Sequence, residues 1–309
     1  MKAAFVFPGQ GSQSVGMMNG YDHIPSIRST FDEASSHLGM NLWTLAVEGP
    51  EDALSLTINT QPLMLTAGVA VYRAWRELGG AVPAVLAGHS LGEYTALVAA
   101  ESLSFADALA LTRRRAQLMQ NEVPPGEGGM AAILGLDDDE VGLACEEAAQ
   151  GQVLEPANFN SPGQVVIAGH RAAIERGIEA AKARGAKRAI LLPMSIPSHC
   201  SLMKPAAAKL AEYLASVVIT PPKIPVIHNA TVEIAPSPEA IRQVLVEQLY
   251  RPVKWVGVLQ ALARDGAEAV IECGPGKVLT PLVKRSVPAL NGMSMGDEAS
   301  LSAVIEALR

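Results

Sequence analysis

The chain is short of cysteine, of aromatic residues and of positive charge, and each shortage closes off a class of protein. Three cysteines occur in 309 residues, Cys145, Cys200 and Cys273, and none stands at disulfide-scaffold or metal-knuckle spacing from another. A disulfide framework and a cysteine-built metal site are therefore not expected, no metal ligands are assigned, and a reducing cytoplasm is the expected setting. Lysine and arginine number 24 against 31 aspartates and glutamates, a formal charge of −7. That balance argues against general affinity for nucleic acid or an anionic membrane, so an acidic partner would need a local basic patch. No stretch approaches the roughly 20 apolar residues of a membrane span. The opening apolar run meets Pro8 and Gly9 too early for a signal peptide, so export is not expected, and the sequon Asn229-Ala230-Thr231 reads as accidental. What the chain has is an apolar fraction of 49% with few aromatics, which excludes a mostly disordered chain and suits helices packed closely on a sheet.

Residues 3–7 form a buried-strand pattern that ends in the turn-rich Pro8-Gly9-Gln10-Gly11-Ser12-Gln13. Helical periodicity runs over 61–78, with Pro62 in the first turn and Gly79-Gly80 as the stop. A short strand at 85–87 precedes a helix at 91–100, and Ser104 with Asp107 forms a capping box for a helix over 104–120. Composition shifts at Pro124-Pro125-Gly126, and the following residues read as strand (130–134), helix (138–150), strands (153–158 and 164–168), helix (170–184) and strand (188–192). That β-α-β-β-α-β order is the order of a ferredoxin-like module. Alternation resumes afterwards, with strands at 224–227 and 267–272. The expected fold class is α/β: a parallel-sheet domain of residues 1–124 and 195–309, interrupted by a small inserted domain of residues 125–194.

Gly88-His89-Ser90-Leu91-Gly92 lies between the strand at 85–87 and the helix at 91–100. A Gly-x-Ser-x-Gly turn is sharp enough to exclude side chains two residues either side of the serine, and it presents the hydroxyl at a helix N-terminus. A capping serine in a glycine-rich turn is the bland alternative. A serine nucleophile needs a base. Of the six histidines, His89 adjoins the serine and points elsewhere, His23 and His37 precede it among helices, and His170 begins a helix. His199, in Pro197-Ser198-His199-Cys200 where the chain re-enters the large domain, and His228, after the strand at 224–227, both remain candidates.

The helix over 104–120 carries Arg113-Arg114-Arg115. At 100° per residue Arg114 faces away from the apolar stripe and Arg113 lies sideways, while Arg115 falls among Ala108, Leu111 and Met119. A buried guanidinium needs an anionic partner, either an internal Asp or Glu or a carboxylate supplied by a ligand. Gly274-Pro275-Gly276-Lys277 lacks the spacing of a phosphate loop and reads as a turn. Asp137-Asp138-Asp139-Glu140 reads as an acidic helix start.

The blocks FVFPGQGSQ (5–13), GHSLGE (88–93), NFNSPGQVVIAG (158–169), PSHC (197–200), QLYRPVKW (248–255) and GPGKVL (274–279) resemble, in order and over nearly the whole chain, the malonyl-CoA:acyl carrier protein transacylases. The resemblance implies a hydrolase-like α/β core with a ferredoxin-like insert and transfer of malonyl groups from malonyl-CoA to acyl carrier protein. It implies Ser90 as nucleophile, His199 as base, and the backbone N–H groups of Gln10 and Leu91 as an oxyanion hole. The backbone carbonyl of Gln248 would orient the histidine, which accounts for the absence of an acidic third member. Arg115 would hold the malonyl carboxylate. No cofactor is implied, malonyl-CoA being a substrate, and neither nucleic acid nor membrane is an expected partner. Because carrier proteins are acidic, Lys187, Arg188, Lys284 and Arg285 are the candidate docking cations. A hydrolase using the same serine, and a non-catalytic protein that keeps the fold, are the rival readings.

Overall fold

The computed structural model describes residues 1–21, 23–194 and 196–308. Among these, the strands in chain order are β1 (Ala3–Phe7), β2 (Val85–Gly88), β3 (Gly128–Leu134), β4 (Leu154–Ser161), β5 (Gln164–His170), β6 (Arg188–Leu191), β7 (Val226–Ile227), β8 (Ala269–Glu272) and β9 (Asn291–Ser294). They form two sheets. The first runs β7-β2-β1-β8-β9 with every pairing parallel. Its central strands β1, β2 and β8 are buried at every residue, as continuous apolar runs in a parallel sheet must be when helices cover both faces. Alternation along β1 divides the core: Phe5 and Phe7 join the cluster beneath the helices Thr57–Glu77 and Phe105–Glu122. Ala4 and Val6 join Trp255, Leu259 and Val283 on the opposite face.

The second sheet runs β4-β5-β3-β6, antiparallel throughout. The helices Asp138–Ala149 and Arg171–Ala183 cover one face through Ile133, Val165, Ile167 and Ala173. The other face packs Met130, Ala157, Val166 and Ala168 against Cys200. The two sheets are joined where β4 meets Val253: Phe159 N–H donates to Val253 O, and Val253 N–H to Ala157 O, each at 2.9 Å. The expected boundary between residues 194 and 195 falls on Ser195, outside the described residues.

Element types agree with the sequence patterns, and the differences lie at ends. The helix expected at 61–78 begins earlier, at Thr57, and holds Pro62 inside it. The turn before the proline keeps a backbone bond, Thr60 N–H to Leu56 O at 2.8 Å, and side chains add to it, Thr60 Oγ1 donating to Leu54 O at 2.6 Å and Asn59 Nδ2 to Ala53 O at 2.9 Å. Half of the expected capping box forms: Ser104 Oγ accepts from Asp107 N–H at 3.0 Å, and the Asp107 carboxylate accepts from the Ser104 hydroxyl at 2.7 Å rather than from its N–H. Strand β9 is too short and polar to stand out in the sequence, and it forms because β8 offers it a parallel edge.

Glu272, at the end of β8, is fully buried. Its carboxylate accepts from the N–H groups of Val278, Leu279 and Thr280 and from the Thr280 hydroxyl, at 2.7 to 2.9 Å. This fastens the Gly-Pro-Gly-Lys turn against the loop after β1: a Cβ on Gly274 would stand 3.1 Å from Pro8, and one on Gly276 3.1 Å from Ser12 O. Replacing Glu272 by Ala strands these donors, at about 1–3 kcal/mol for each buried one. The expected loss is about 3 kcal/mol of unfolding free energy by urea titration, and a loss below about 1 kcal/mol would show that the turn does not need the carboxylate.

Candidate active site

Steric demand shapes the turn after β2. A Cβ on Gly88 would lie 1.9 Å from the Gly92 backbone, and one on Gly92 2.0 Å from Phe7 O, so both positions admit only glycine. Between them Ser90 adopts a left-handed backbone, φ 52°, a conformation a serine holds only where its surroundings fix it. Its hydroxyl stands 2.8 Å from His199 Nε2. His199 also has positive φ, 64°, and its N–H donates to Leu249 O at 2.9 Å, which sets the loop it sits on. His199 Nδ1 lies 2.7 Å from the Gln248 backbone oxygen. A carbonyl can only accept, so Nδ1 carries the proton and Nε2 is left as the acceptor facing Ser90. Burial pushes the His199 pKa down to about 3, and the Arg115 charge adds to the effect, against the Gln248 hydrogen bond. The ring is therefore neutral at neutral pH. It can take a proton from Ser90.

Gly9 brings the loop after β1 against this turn, its Cβ position falling 2.5 Å from His89 O and 3.7 Å from Leu91 N. Gln10 follows directly. Neither the Gln10 nor the Leu91 N–H has an acceptor among the described residues. The Gln10 side chain is turned away, Nε2 donating to Thr57 Oγ1 at 3.1 Å.

Arg115 is 1% exposed and makes only neutral contacts. Nη1 donates to Gln61 Oε1 at 2.8 Å, and Nη2 to Gln248 Oε1 at 2.9 Å and Ser90 Oγ at 3.2 Å. The guanidinium lies 5.4 Å from the Tyr94 ring centre, and its Nε has no partner. No carboxylate of the described residues pairs with it. Glu93 acts on it through charge alone, being bound to His228 and Asn229. The internal Asp or Glu considered from sequence is thus not there. Arg113 is half-buried on Leu38 O and Arg114 is exposed, as the helical wheel requires.

His228 does not reach Ser90. It is buried with Nδ1 2.7 Å from Glu93 Oε1. His89 points away from the hydroxyl, its Nε2 2.8 Å from Asn160 Oδ1 and its ring edge-on to Trp255. His23 and His37 are exposed, and His170 accepts the Val153 N–H through Nδ1. Sequence reasoning missed Gln61, Asn160, Glu93 and Asn229. Neutral amides and a helix-start glutamate carry no spacing signal, although GHSLGE and NFNSPG contain two of them.

Lys187 and Arg188 are exposed at the start of β6, and Lys284 and Arg285 in the last turn of the helix Thr280–Ser286. The two pairs converge. Arg188 opposes Leu134, which opposes Gln164, and Arg285 Nη1 donates to Gln164 Oε1 at 3.0 Å. A cavity of about 730 Å³ is lined by Tyr72, Arg73, Phe105 and Lys223 among others, and includes none of Ser90, His199 or Arg115. Among the described residues no cluster of His, Cys, Asp and Glu could hold a metal ion, and no helix is long and apolar enough to cross a membrane. The three cysteines are free and buried.

The acyl transferase domain family matches residues 4–302. A malonyl CoA-acyl carrier protein transacylase of Escherichia coli O157:H7 is 53% identical over 304 residues, 98% of each chain. The crystal structure of an acyl-carrier-protein S-malonyltransferase from Burkholderia pseudomallei is 56% identical, covers 99% of this chain and all of its own, and superposes with a TM-score of 0.97. A malonyl-transacylase solved in complex with a type II PKS acyl-carrier protein is 49% identical, with a TM-score of 0.98 and coverage of 99% of this chain and 100% of that one. The chain is therefore an acyltransferase that belongs to the acyl transferase domain family and, within it, to the malonyl CoA-acyl carrier protein transacylases.

Proposed function

We propose that the protein moves a malonyl group from malonyl-CoA to the phosphopantetheine thiol of acyl carrier protein, through a malonyl ester of Ser90, for fatty acid synthesis. The observation that carries the reading is a buried cation without an anionic partner, Arg115, held 3.2 Å from a serine hydroxyl that faces a neutral histidine. Ser90 Oγ attacks the thioester carbonyl while His199 Nε2 takes its proton. The Gln10 and Leu91 N–H groups receive the developing oxyanion, and such donors are worth a few kcal/mol each. Collapse breaks the C–S bond, and the departing sulfur of coenzyme A takes the proton from His199. The carrier thiol then attacks the ester, gives its proton to His199, and leaves Ser90 reprotonated by the same ring. A thiol is a good leaving group, so a carbonyl suffices where other serine enzymes place a carboxylate.

Ping-pong chemistry asks both thiols to enter by one route, and the basic edge formed by Lys187, Arg188, Lys284 and Arg285 supports a docking role there. We assign residues 125–194 as a ferredoxin-like insert in a hydrolase-like domain of 1–124 and 195–309. The antiparallel order β4-β5-β3-β6 and the parallel first sheet support this assignment. Three free buried thiols suit a reducing cytoplasm.

Mixing with malonyl-CoA should add one malonyl mass to the intact protein, and carrier protein should discharge it. Ser90→Ala should show no adduct, and His199→Ala should form it about 10²–10⁴-fold more slowly, the usual contribution of general-base assistance. Adduct formation at the normal rate in His199→Ala would remove the histidine from the mechanism.

For Arg115→Ala, kcat/KM with malonyl-CoA should fall by about 3 kcal/mol or more, the usual cost of breaking a buried pair, while acetyl transfer holds steady or rises. Equal loss of both donors in a folded variant would make Arg115 a structural residue.

Reversing the charges of Lys187, Arg188, Lys284 and Arg285 should slow transfer to carrier protein and flatten its salt dependence, with acylation by malonyl-CoA unchanged. Equal damage to both half-reactions would place docking elsewhere.

A further inference from the structure

A buried polar chain, Glu93–His228–Asn229, lies behind the serine turn and takes no part in the proton transfers above. Asn229 is fully buried. Its side-chain amide spans the turn: Oδ1 accepts from Ser90 N–H at 2.7 Å, and Nδ2 donates to Gly88 O at 2.6 Å. Its orientation is forced, because an N–H can only donate and a carbonyl only accept. The pairing has the form of a strand rung. Strand β7 pairs with β2 at Leu86 and Ala87 and then ends, and the Asn229 amide makes one further parallel-type rung, spanning His89 from the Gly88 carbonyl to the Ser90 N–H, where β2 gives way to the turn.

Asn229 is itself held. Its N–H donates to Glu93 Oε2 at 2.9 Å, and Glu93 Oε1 lies 2.7 Å from His228 Nδ1. Glu93 is fully buried in the first turn of the helix Gly92–Ala99 that follows the serine. The carboxylate therefore ties the helix start to the loop that supplies the amide. Two other bonds hold the Ser90 carbonyl, from Gln248 Nε2 at 3.0 Å and Glu93 N–H at 3.1 Å. Asn229 alone holds its N–H.

We infer that Asn229, anchored by Glu93, is a positioning residue that keeps Ser90 in its left-handed conformation and reserves the Leu91 N–H for the oxyanion. Occupation of the Ser90 N–H by Asn229 removes that group as a rival oxyanion donor. It also fixes the His89–Ser90 peptide plane, while the Ser90–Leu91 peptide, which carries the Leu91 N–H, is held through the Ser90 carbonyl by Gln248 and Glu93. Without the amide, the His89–Ser90 peptide is free to rotate, Ser90 relaxes toward an ordinary backbone, its own N–H seeks an acceptor, and its hydroxyl and the following Leu91 N–H shift from their places about the oxyanion. Arg115 keeps its bonds to Gln61 and Gln248 and loses at most the one to Ser90 Oγ, so capture of the malonyl donor is unaffected.

The inference rests on the Ser90 nucleophile proposed above, and single-turnover labelling by malonyl-CoA, read by intact mass over a range of donor concentrations, tests it. Asn229→Ala should lower the saturating rate on the order of 10²-fold, the effect of misplacing a reacting group by about 1 Å, at an unchanged half-saturating concentration. Asn229→Asp keeps an acceptor facing the Ser90 N–H and should recover at least about tenfold of that loss. Glu93→Gln keeps the volume and one acceptor, and should fall between the two. A merely structural role would instead scale every rate with the folded fraction seen in thermal unfolding, with no rescue by Asp, and would overturn the inference. Wild-type labelling by Asn229→Ala, or a raised half-saturating concentration at an unchanged rate, would also overturn it. If Asn229→Ala does not fold, Glu93→Gln decides by the same split: slowing at constant half-saturation upholds the inference and a wild-type rate ends it. Labelling that persists in Ser90→Ala would sink the nucleophile reading itself, a separate failure.

Discussion

One residue, Gln248, touches every part of the site. Its backbone oxygen accepts from His199, its side-chain oxygen accepts from Arg115, and its side-chain nitrogen donates to the Ser90 carbonyl. Histidine, cation and serine turn are thus referred to one amide side chain and its own peptide. A carboxylate at this position could orient the histidine, but it would also neutralise Arg115. A neutral residue orients the ring and leaves the cation's charge available. The choice of a carbonyl over an acid at His199 is in this sense linked to the choice of an anionic acyl group.

The same linkage appears in the electrostatics. Burial is the main cause of the low His199 pKa, and Arg115 is the next. Under the proposed function, the malonyl carboxylate cancels part of the arginine's field when it arrives. The histidine then becomes a stronger base as its substrate binds. A neutral acyl group brings no such relief and meets both an unpaired cation and a weaker base, so discrimination arises in chemistry as well as in binding. A histidine held neutral also sets a sign for stability. Between its ordinary pKa of roughly 6.5 and the folded value the unfolded chain binds the extra proton, so this contribution to stability is present at neutral pH and declines as pH falls through that window.

Much of this was legible in the sequence where the physics is local. The glycines flanking Ser90 announce a turn with no room for side chains, and Arg115 stood on an apolar face where helical periodicity put it. The β-α-β-β-α-β succession of elements in 130–192 could be read from local patterns. The choice between His199 and His228 was not local. Both follow elements of similar character, and only packing shows that one ring faces Ser90 while the other is bound to Glu93. Asn229 was read as part of a chance sequon because its partners lie 139 and 141 residues away. Amide side chains that stand in for backbone rungs leave no periodic trace. Polar contacts of long sequence separation are the part that composition and spacing do not encode.

Strand β4 illustrates what such contacts do for the architecture. Asn160, near its end, accepts through Oδ1 from Nε2 of His89, the residue before Ser90. Glu155, near its start, accepts from the N–H and hydroxyl of Ser201, two residues beyond the base, at 2.9 and 2.5 Å. One strand of the smaller sheet therefore grips the chain beside Ser90 and the chain beside His199. The strand is not regular between them: its pairing with β5 shifts register at Pro156/Asn158 and at Phe159/Ser161, so the two grips are separated by a bulged stretch. The serine and histidine, 2.8 Å apart, thus each have a chain neighbour bonded to the smaller sheet. The smaller sheet is not an appendage on a catalytic core. It bonds the residue before Ser90 and the loop that carries His199.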